Sequence, residues 1–173
     1  MASDFWVFGY GSLMWKPGFE FLERRPARLF GAHRALCVYS HVHRGTPDKP
    51  GLVLGLDRGG ACRGVAFRVA SKKRDATIDY LRGREQVTGI YRETERPVDL
   101  LDGPGERVRA LCYLVDRGHA QYAGRLEHEA LLQHVRQGHG RSGAGRDYVL
   151  ATVKELEALG IRDETLEWLA ARL

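Results

Sequence analysis

Two features of this sequence combine residue types that could support acid–base chemistry. A short apolar segment runs into a loop with two closely spaced glycines, in the stretch Trp6-Val7-Phe8-Gly9-Tyr10-Gly11-Ser12-Leu13. Glycines at a strand exit let the backbone approach a ligand and turn its amides toward it. The second feature is Glu85, at the predicted junction between a helix and an apolar run. A glutamate that faces a pocket there is a tunable general base, because burial raises its pKa and neighbouring arginines lower it. The alternative is an ordinary solvated acid at a helix end.

The glycine loop fits neither of two nucleotide-binding patterns. The dinucleotide fingerprint needs a third glycine near Met14 and a helix after it, whereas Pro17 and Gly18 follow here. The phosphate-cradling pattern needs Gly-Lys-Ser or Gly-Lys-Thr, and Lys16 is followed by proline. We therefore expect the loop to bind something smaller than a nucleotide, or to be a plain turn between strands.

A proline-rich loop lies between two predicted strands, in the stretch His41-Val42-His43-Arg44-Gly45-Thr46-Pro47-Asp48-Lys49-Pro50-Gly51. Two histidines one residue apart could ligate a metal, but the sequence offers no third ligand nearby, so no metal site is predicted. A loop of this length between strands is typical of a binding element or a lid. Arg44 within it could hold a substrate carboxylate through two parallel hydrogen bonds.

A glycine-rich segment precedes the third predicted helix, in the stretch Gly138-His139-Gly140-Arg141-Ser142-Gly143-Ala144-Gly145. Its Gly-Arg-Ser-Gly run lacks the Gly-x-Ser-x-Gly spacing of a nucleophile elbow. This spacing argues against a serine hydrolase, for which Ser12, Ser142 and seven histidines would supply the residue types.

Length and composition predict one compact domain over residues 1–173. The 173 residues are 43% apolar, which is enough for one core and cramped for two. The sequence contains no run of about 18 apolar residues, so no membrane span is predicted. Asp4 stands where a signal peptide would be basic, so we expect a cytoplasmic protein without a membrane partner. Three widely spaced cysteines, with no Cys-x-x-Cys pair, predict buried thiols: Cys37, Cys62 and Cys112.

The charge balance favours a small anionic partner over a nucleic acid. The net charge is +5 and the pI is near 9.3, but basic residues alternate with acids instead of forming a block. A few arginines around one cleft are enough to attract a carboxylated small molecule.

The order of predicted elements favours an α+β or barrel-containing domain, because strands come first and helices follow. Turn-rich segments at 57–60 and 102–105 punctuate the strand region. The predicted strands cover residues 6–8, 35–39, 52–56, 63–69, 96–100 and 107–115. The predicted helices cover residues 73–84, 119–136 and 145–159, and run from 163 to the end. Ser71 is the predicted N-cap of the first helix.

Together these segments resemble the ChaC-type gamma-glutamylcyclotransferases over nearly the whole chain. The residues that carry the resemblance are Val7-Phe8-Gly9-Tyr10-Gly11-Ser12-Leu13-Met14-Trp15, His43-Arg44-Gly45-Thr46-Pro47 with Gly51-Leu52-Val53-Leu54-Gly55-Leu56, Tyr80-Leu81 with Arg84-Glu85-Gln86, and Ser142-Gly143 with Tyr148. The sequence departs from the family at Ile90, where a second glycine is common, and at Arg146, where asparagine is frequent.

The resemblance implies an α+β fold, namely a gamma-glutamylcyclotransferase-like small mixed β-barrel with flanking helices. It implies a lyase that splits glutathione into 5-oxoproline and cysteinylglycine without a metal or an organic cofactor. It makes Glu85 the catalytic general base and acid and Tyr148 a pocket tyrosine. It assigns the glutamyl end of the substrate to Tyr10, Gly11, Ser12 and Leu13. For the glycine carboxylate of glutathione, Arg44 is the predicted contact.

Two alternatives stay open at this point. One is a cyclotransferase of the same fold for other gamma-glutamyl amines or dipeptides. The other is a non-catalytic regulatory or binding module, against which the presence of Glu85 argues. The oligomeric state is left open between monomer and homodimer.

Overall fold

Five β-strands form a closed barrel in the computed structural model, which describes residues 3–86 and 88–173. The order around the barrel is β1, β3, β2, β4, β5. β1 pairs antiparallel with β3 and parallel with β5, and the parallel contact closes the barrel. The strands are β1 (Phe5–Gly9), β2 (Glu23–Ser40), β3 (Gly51–Val69), β4 (Tyr91–Leu100) and β5 (Arg107–Val115).

Helices dominate the last third of the chain. Short 3₁₀ turns cover Ser12–Met14 and Ser71–Lys73, and the two-residue strands β6 (His139–Gly140) and β7 (Gly143–Ala144) pair with each other. The α-helices are α1 (Arg74–Glu85), α2 (His128–Gln137), α3 (Gly145–Ala158) and α4 (Glu164–Ala170). A mixed α+β barrel fold is thereby confirmed. Among the described residues, no helix combines the length and apolarity needed to cross a membrane.

The chain divides into two compact units. The first comprises Met1–Arg34 and Leu56–Asp116, and the second comprises Ala35–Gly55 and Arg117–Leu173. The boundaries fall inside β2 and β3, so both strands contribute residues to each unit. The expectation of one domain over residues 1–173 stays a prediction.

An apolar cluster in the first unit joins α1 to the barrel strands. Its buried members come from β1, the loop after β1, β3, α1 and β5: Phe5, Val7, Leu13, Val69, Leu81, Leu111 and Tyr113. Leu13 and Leu81 bring the glycine loop and α1 into the same cluster. Burial of large apolar side chains contributes about 1.5–3 kcal/mol each, so this cluster holds both elements in place.

Three local predictions are wrong, each for a tertiary or conformational reason. The turn predicted at 57–60 lies inside the continuous strand β3, where Gly59 (φ 102°) and Gly60 (φ 70°) bend the strand without reversing it. The helix predicted from 119 begins only at His128, because residues 121–123 pair with β2 through the Tyr39 amide to the Gln121 carbonyl (2.8 Å) and the Ala123 amide to the Cys37 carbonyl (2.7 Å).

Ser71 is not the N-cap of α1. It begins the 3₁₀ turn, and its amide donates to Asp4 Oδ1 at 3.2 Å, while the N-cap position belongs to Lys73 without a side-chain hydrogen bond. Asp4 therefore satisfies an amide at this helix start in place of a local cap.

Candidate active site

The glycine loop after β1 exposes Ser12 while its neighbours are buried. Tyr10 and Leu13 are 8% and 5% exposed. The Tyr10 carbonyl accepts a hydrogen bond from Arg34 Nε at 2.6 Å. The first internal bond of the 3₁₀ turn runs from the Met14 amide to the Gly11 carbonyl (2.9 Å), so the amides of Ser12 and Leu13 have no partner inside the turn. The loop thus places the exposed Ser12 hydroxyl beside two amides that the turn itself leaves unpaired.

Glu85 is the last residue of α1, one turn beyond the fully buried Leu81. Its side chain is only 17% exposed. Burial raises the pKa of the Glu85 carboxyl above its usual range, and the charge of Arg84 partly opposes that rise. Glu85 is therefore not a solvated helix-end acid, and its role as a general base stays a prediction.

Arg84 connects Glu85 with the glycine loop. Its Nη2 donates to Ser12 Oγ at 2.8 Å, and its Nε lies 3.6 Å from Glu85 Oε1. One guanidinium group therefore contacts both Ser12 and Glu85.

A second set of polar groups lies on β4 and β5 near the end of α1. Tyr113 on β5 donates to Glu93 Oε2 at 3.0 Å, and Arg82 binds both oxygens of Glu93 at 3.0 and 2.9 Å. Burial raises the pKa of Tyr113, and its hydrogen bond to Glu93 and the charges of Glu93 and Glu85 raise it further. Tyr113 is therefore a neutral hydrogen-bond donor whose pKa depends on the charge of Glu85.

In the second unit, Arg44 lies over the ring of Tyr148. The guanidinium carbon is 5.3 Å from the ring centroid, and Nη1 donates to the Ala144 carbonyl at 3.2 Å. Within the described part of the chain, Nε and Nη2 of Arg44 make no hydrogen bond. These two nitrogens form the side of the guanidinium that can bind a carboxylate in parallel.

Tyr148 and the glycine-rich segment are held by backbone contacts. The Tyr148 hydroxyl accepts from the Leu54 amide at 3.0 Å, which turns the hydroxyl proton away from that amide. The Ser142 amide donates to the His43 carbonyl at 2.9 Å, and Ser142 Oγ lies 2.8 Å from His43 Nδ1. A Cβ at Gly138 would overlap the Arg44 carbonyl, so the segment lies directly against the 41–51 loop.

The predicted site residues form two groups, one in each unit. Tyr10, Gly11, Ser12, Leu13 and Glu85 are in the first unit, where Arg84 contacts Ser12 and Glu85. Arg44 and Tyr148 contact each other in the second unit. No group of three or more potential metal-ligating side chains occurs in residues 3–86 or 88–173.

The sequence did not predict the contacts that Arg84, Glu93 and Tyr113 make. The spacing of Tyr80 and Arg84, four apart on a helix, could have predicted the contact between their side chains (3.1 Å). Nothing local indicates the contact of Arg84 with Ser12, which lies 72 positions away. The departure at Ile90 is accommodated by complete burial of that side chain.

Comparison with known proteins adds three findings. The family model described as ChaC-like protein matches residues 5–173. The glutathione-specific gamma-glutamylcyclotransferase of Escherichia coli (strain K12) is 35% identical over 93% of this chain and 69% of its own length, and the mouse glutathione-specific gamma-glutamylcyclotransferase 1 is 32% identical over 94% and 74%. The crystal structure of a gamma-glutamyl cyclotransferase specific to glutathione from yeast matches with a TM-score of 0.85 at 23% identity, over 98% of this chain and 97% of that one.

Proposed function

The chain belongs to the ChaC-like protein family, and on this premise we propose that it is a lyase that cleaves glutathione into 5-oxoproline and cysteinylglycine. In this reaction the glutamyl alpha-amine attacks the gamma-carbonyl of the same molecule. A nitrogen–carbon bond forms to close the five-membered ring, and the amide bond to cysteine breaks. The protein is an enzyme of the gamma-glutamylcyclotransferase class, and its substrate is a small molecule.

The contact of Arg84 with both Ser12 and Glu85 is the observation that carries this proposal. It brings the loop assigned to the glutamyl group next to the largely buried Glu85 carboxylate. Because nucleophile and electrophile are in one molecule, the site gains most by holding a folded substrate conformer. Well-oriented intramolecular reactions reach effective molarities of about 10⁵ to 10⁸ M.

Glu85 carries the proton transfers of the mechanism. The alpha-amine must lose a proton to attack, and the departing amine of cysteinylglycine must gain one. A single carboxylate with a raised pKa can accept the first proton and return it to the leaving group. Such proton transfer contributes a factor of about 10² to 10⁴ in rate.

The loop residues 10–13 hold the glutamyl group in this proposal. The Ser12 and Leu13 amides and the Ser12 hydroxyl are donors for its carboxylate and for the developing oxyanion. The Tyr148 hydroxyl is the other proposed oxyanion donor. Arg44 is proposed to bind the glycine carboxylate, with its Nε and Nη2 as the available donors.

A cytoplasmic location goes with this proposal, because the cytosol is where glutathione keeps thiols reduced. Cys37, Cys62 and Cys112 are buried free thiols, as that compartment allows. Fractionation of the source cells with an antibody against the protein would test the location.

The deciding experiment is incubation of the purified protein with glutathione, with 5-oxoproline and cysteinylglycine followed by mass spectrometry. Gamma-glutamylalanine is supplied in a parallel reaction. Turnover of glutathione alone supports the proposal, and turnover of the dipeptide alone indicates a cyclotransferase for other gamma-glutamyl substrates. No turnover of either by folded protein would overturn the enzymatic proposal in favour of a binding module.

A further inference from the structure

The Arg84 guanidinium contacts groups from α1, from the glycine loop and from residues 16 and 17, which follow that loop. Nη1 donates to the carbonyls of Lys16 (2.7 Å) and Pro17 (3.2 Å) and lies 3.1 Å from the Tyr80 hydroxyl. Nη2 donates to Ser12 Oγ, and Nε faces Glu85. The Arg84 side chain is 22% exposed, so these bonds are only partly open to water.

The direction of the bond to Ser12 follows from the chemistry of arginine. A guanidinium group donates hydrogen bonds and cannot accept one. The Ser12 oxygen therefore accepts from Arg84, and the Ser12 proton must point to another acceptor. Since Ser12 is exposed, that proton is available to a ligand.

The loop end is shaped to receive these contacts. Gly18 has a φ of 75°, and a Cβ at this position would overlap the Tyr80 hydroxyl. Tyr80 can thus reach the loop and lie beside Arg84, one helical turn away on α1. The carbonyls of Lys16 and Pro17 complete the set of acceptors around Nη1.

We propose that Arg84 is a positioning residue that fixes the Ser12 hydroxyl as a hydrogen-bond donor to the substrate and holds the glycine loop beside Glu85. This inference rests on the proposed function and adds to it a residue that does not itself react. Four of the contacts of Arg84 are to oxygen atoms outside Glu85, so its role goes beyond that of a counter-ion.

The charge of Arg84 has a separate effect that can be measured. It lowers the pKa of Glu85 against the rise caused by burial. Among the described residues, Tyr113 on β5 also interacts electrostatically with Glu85; it stays neutral and is bound to Glu93, which is itself paired with Arg82. Removal of the Arg84 charge is therefore expected to raise the pKa of Glu85 further.

Three variants distinguish the positioning role of Arg84 from the effect of its charge. Arg84→Gln removes the charge and the planar set of N–H donors of the guanidinium group. Arg84→Lys keeps the charge but cannot reproduce that set of donors. Arg74→Gln is the matched control, since it removes the same charge from the first residue of the same helix, about 15 Å away by helical rise. Circular dichroism and thermal unfolding establish that each variant is folded.

With glutathione as substrate, Arg84→Gln is expected to lower kcat by about 10²-fold through misplacement of the loop, and to move the acid limb of kcat/KM to higher pH. Arg84→Lys is expected to keep the wild-type acid limb and to lower kcat by about tenfold. Wild-type kcat in Arg84→Lys, or in Arg84→Gln, would overturn the positioning role.

A measurement without turnover keeps this inference separate from the proposed function. The Glu85 carboxyl carbon is followed by NMR titration, with Glu85→Gln used for assignment, and amide hydrogen exchange is measured over residues 12–16. Arg84→Gln is expected to raise the Glu85 pKa and to speed exchange, and Arg84→Lys to speed exchange only. If the wild type leaves glutathione intact while the variants show these changes in Glu85 pKa and amide exchange, the proposed function fails. The positioning of the glycine loop by Arg84 then still stands. An unchanged Glu85 titration and unchanged amide exchange in Arg84→Gln would overturn the proposal that Arg84 holds the glycine loop beside Glu85.

Discussion

At the scale of single residues, two opposing influences act on the Glu85 carboxyl group. Burial disfavours its charged form and raises its pKa, and the nearby Arg84 lowers it; burial has the larger effect. The carboxylate therefore takes up a proton more readily than a solvated glutamate. That property suits a group that must accept a proton from an amine and return it to a leaving amine.

Replacement of Glu85 by glutamine is expected to lower kcat for glutathione by about 10² to 10⁴-fold with little change in KM. Glutamine keeps the shape of the side chain but cannot accept the proton. Steady-state release of 5-oxoproline measures the effect. Glu20→Gln is the control, because Glu20 is 77% exposed and pairs only with Lys73 at 3.0 Å among the described residues. Wild-type turnover in Glu85→Gln would remove Glu85 from the mechanism.

The pH dependence of kcat/KM is expected to show an acid limb above about pH 4.3, the ordinary pKa of glutamate. A general base must be deprotonated, so activity is complete above the raised pKa of Glu85 and is lost as pH falls through it. Initial rates at low glutathione concentration, measured across the pH range in which the protein stays folded, test this. An acid limb at or below the ordinary value would contradict the assignment.

At the scale of elements, α1 is held to the barrel at two levels. Leu81 packs into the apolar cluster with β1, β3 and β5. In the last turn, Arg82 binds Glu93 on β4, which also accepts from Tyr113 on β5. These contacts set the direction in which α1 ends, and therefore where Arg84 and Glu85 lie.

Glu93→Gln is expected to lower the free energy of unfolding by about 1–3 kcal/mol near neutral pH, because a partly buried, charge-assisted network is lost. The hydrogen bonds from Arg82 and Tyr113 lower the pKa of Glu93 in the folded protein. Its stabilising contribution is thus complete above the unfolded pKa and is lost as pH falls through the folded one.

Urea unfolding of Glu93→Gln and the wild type over a pH series measures this difference, which should shrink at acid pH. Glu20→Gln again serves as the control, since an exposed ion pair contributes only about 0–1 kcal/mol. A difference that is independent of pH would show that the charge of Glu93 has no part in the stabilisation.

At the scale of the whole molecule, residues far apart in sequence become neighbours. Ser12 and Arg84 are 72 positions apart, and Arg44 and Tyr148 are brought together from different elements of the second unit. The chain belongs to a family of which curated members in Escherichia coli and mouse are named as specific for glutathione. Arg44 is the residue proposed to bind the glycine carboxylate of the tripeptide.

Arg44→Gln is expected to raise KM for glutathione by about 10- to 100-fold with little change in kcat, because a contact made equally in ground and transition states affects binding alone. Glutathione with a carboxamide in place of its glycine carboxylate should lose this sensitivity. Arg141→Gln, an exposed arginine in the neighbouring loop, is the control. Equal increases in KM for both substrates would show that Arg44 does not bind the carboxylate.

Much of the fold was predictable from local sequence. Apolar runs predicted β1 and β5, and helical spacing predicted α1, α3 and α4, because these patterns depend only on residues close together in the sequence. The strands β2 and β3 were underestimated. In β2 the buried Ala27 and Leu29 alternate with arginine and phenylalanine, and in β3 two glycines mimic a turn.

The sequence by itself determined the reaction class, through the glycine loop, Glu85 and the order of motifs that resembles one family. Only the tertiary structure decided that the Glu85 side chain is largely buried and that Arg84 contacts both Glu85 and Ser12. The physical reason is that the pKa of a carboxyl group depends on the water and charges around it, and these come from segments distant in the chain. Packing of Leu13 and Leu81 into one cluster brings those segments together.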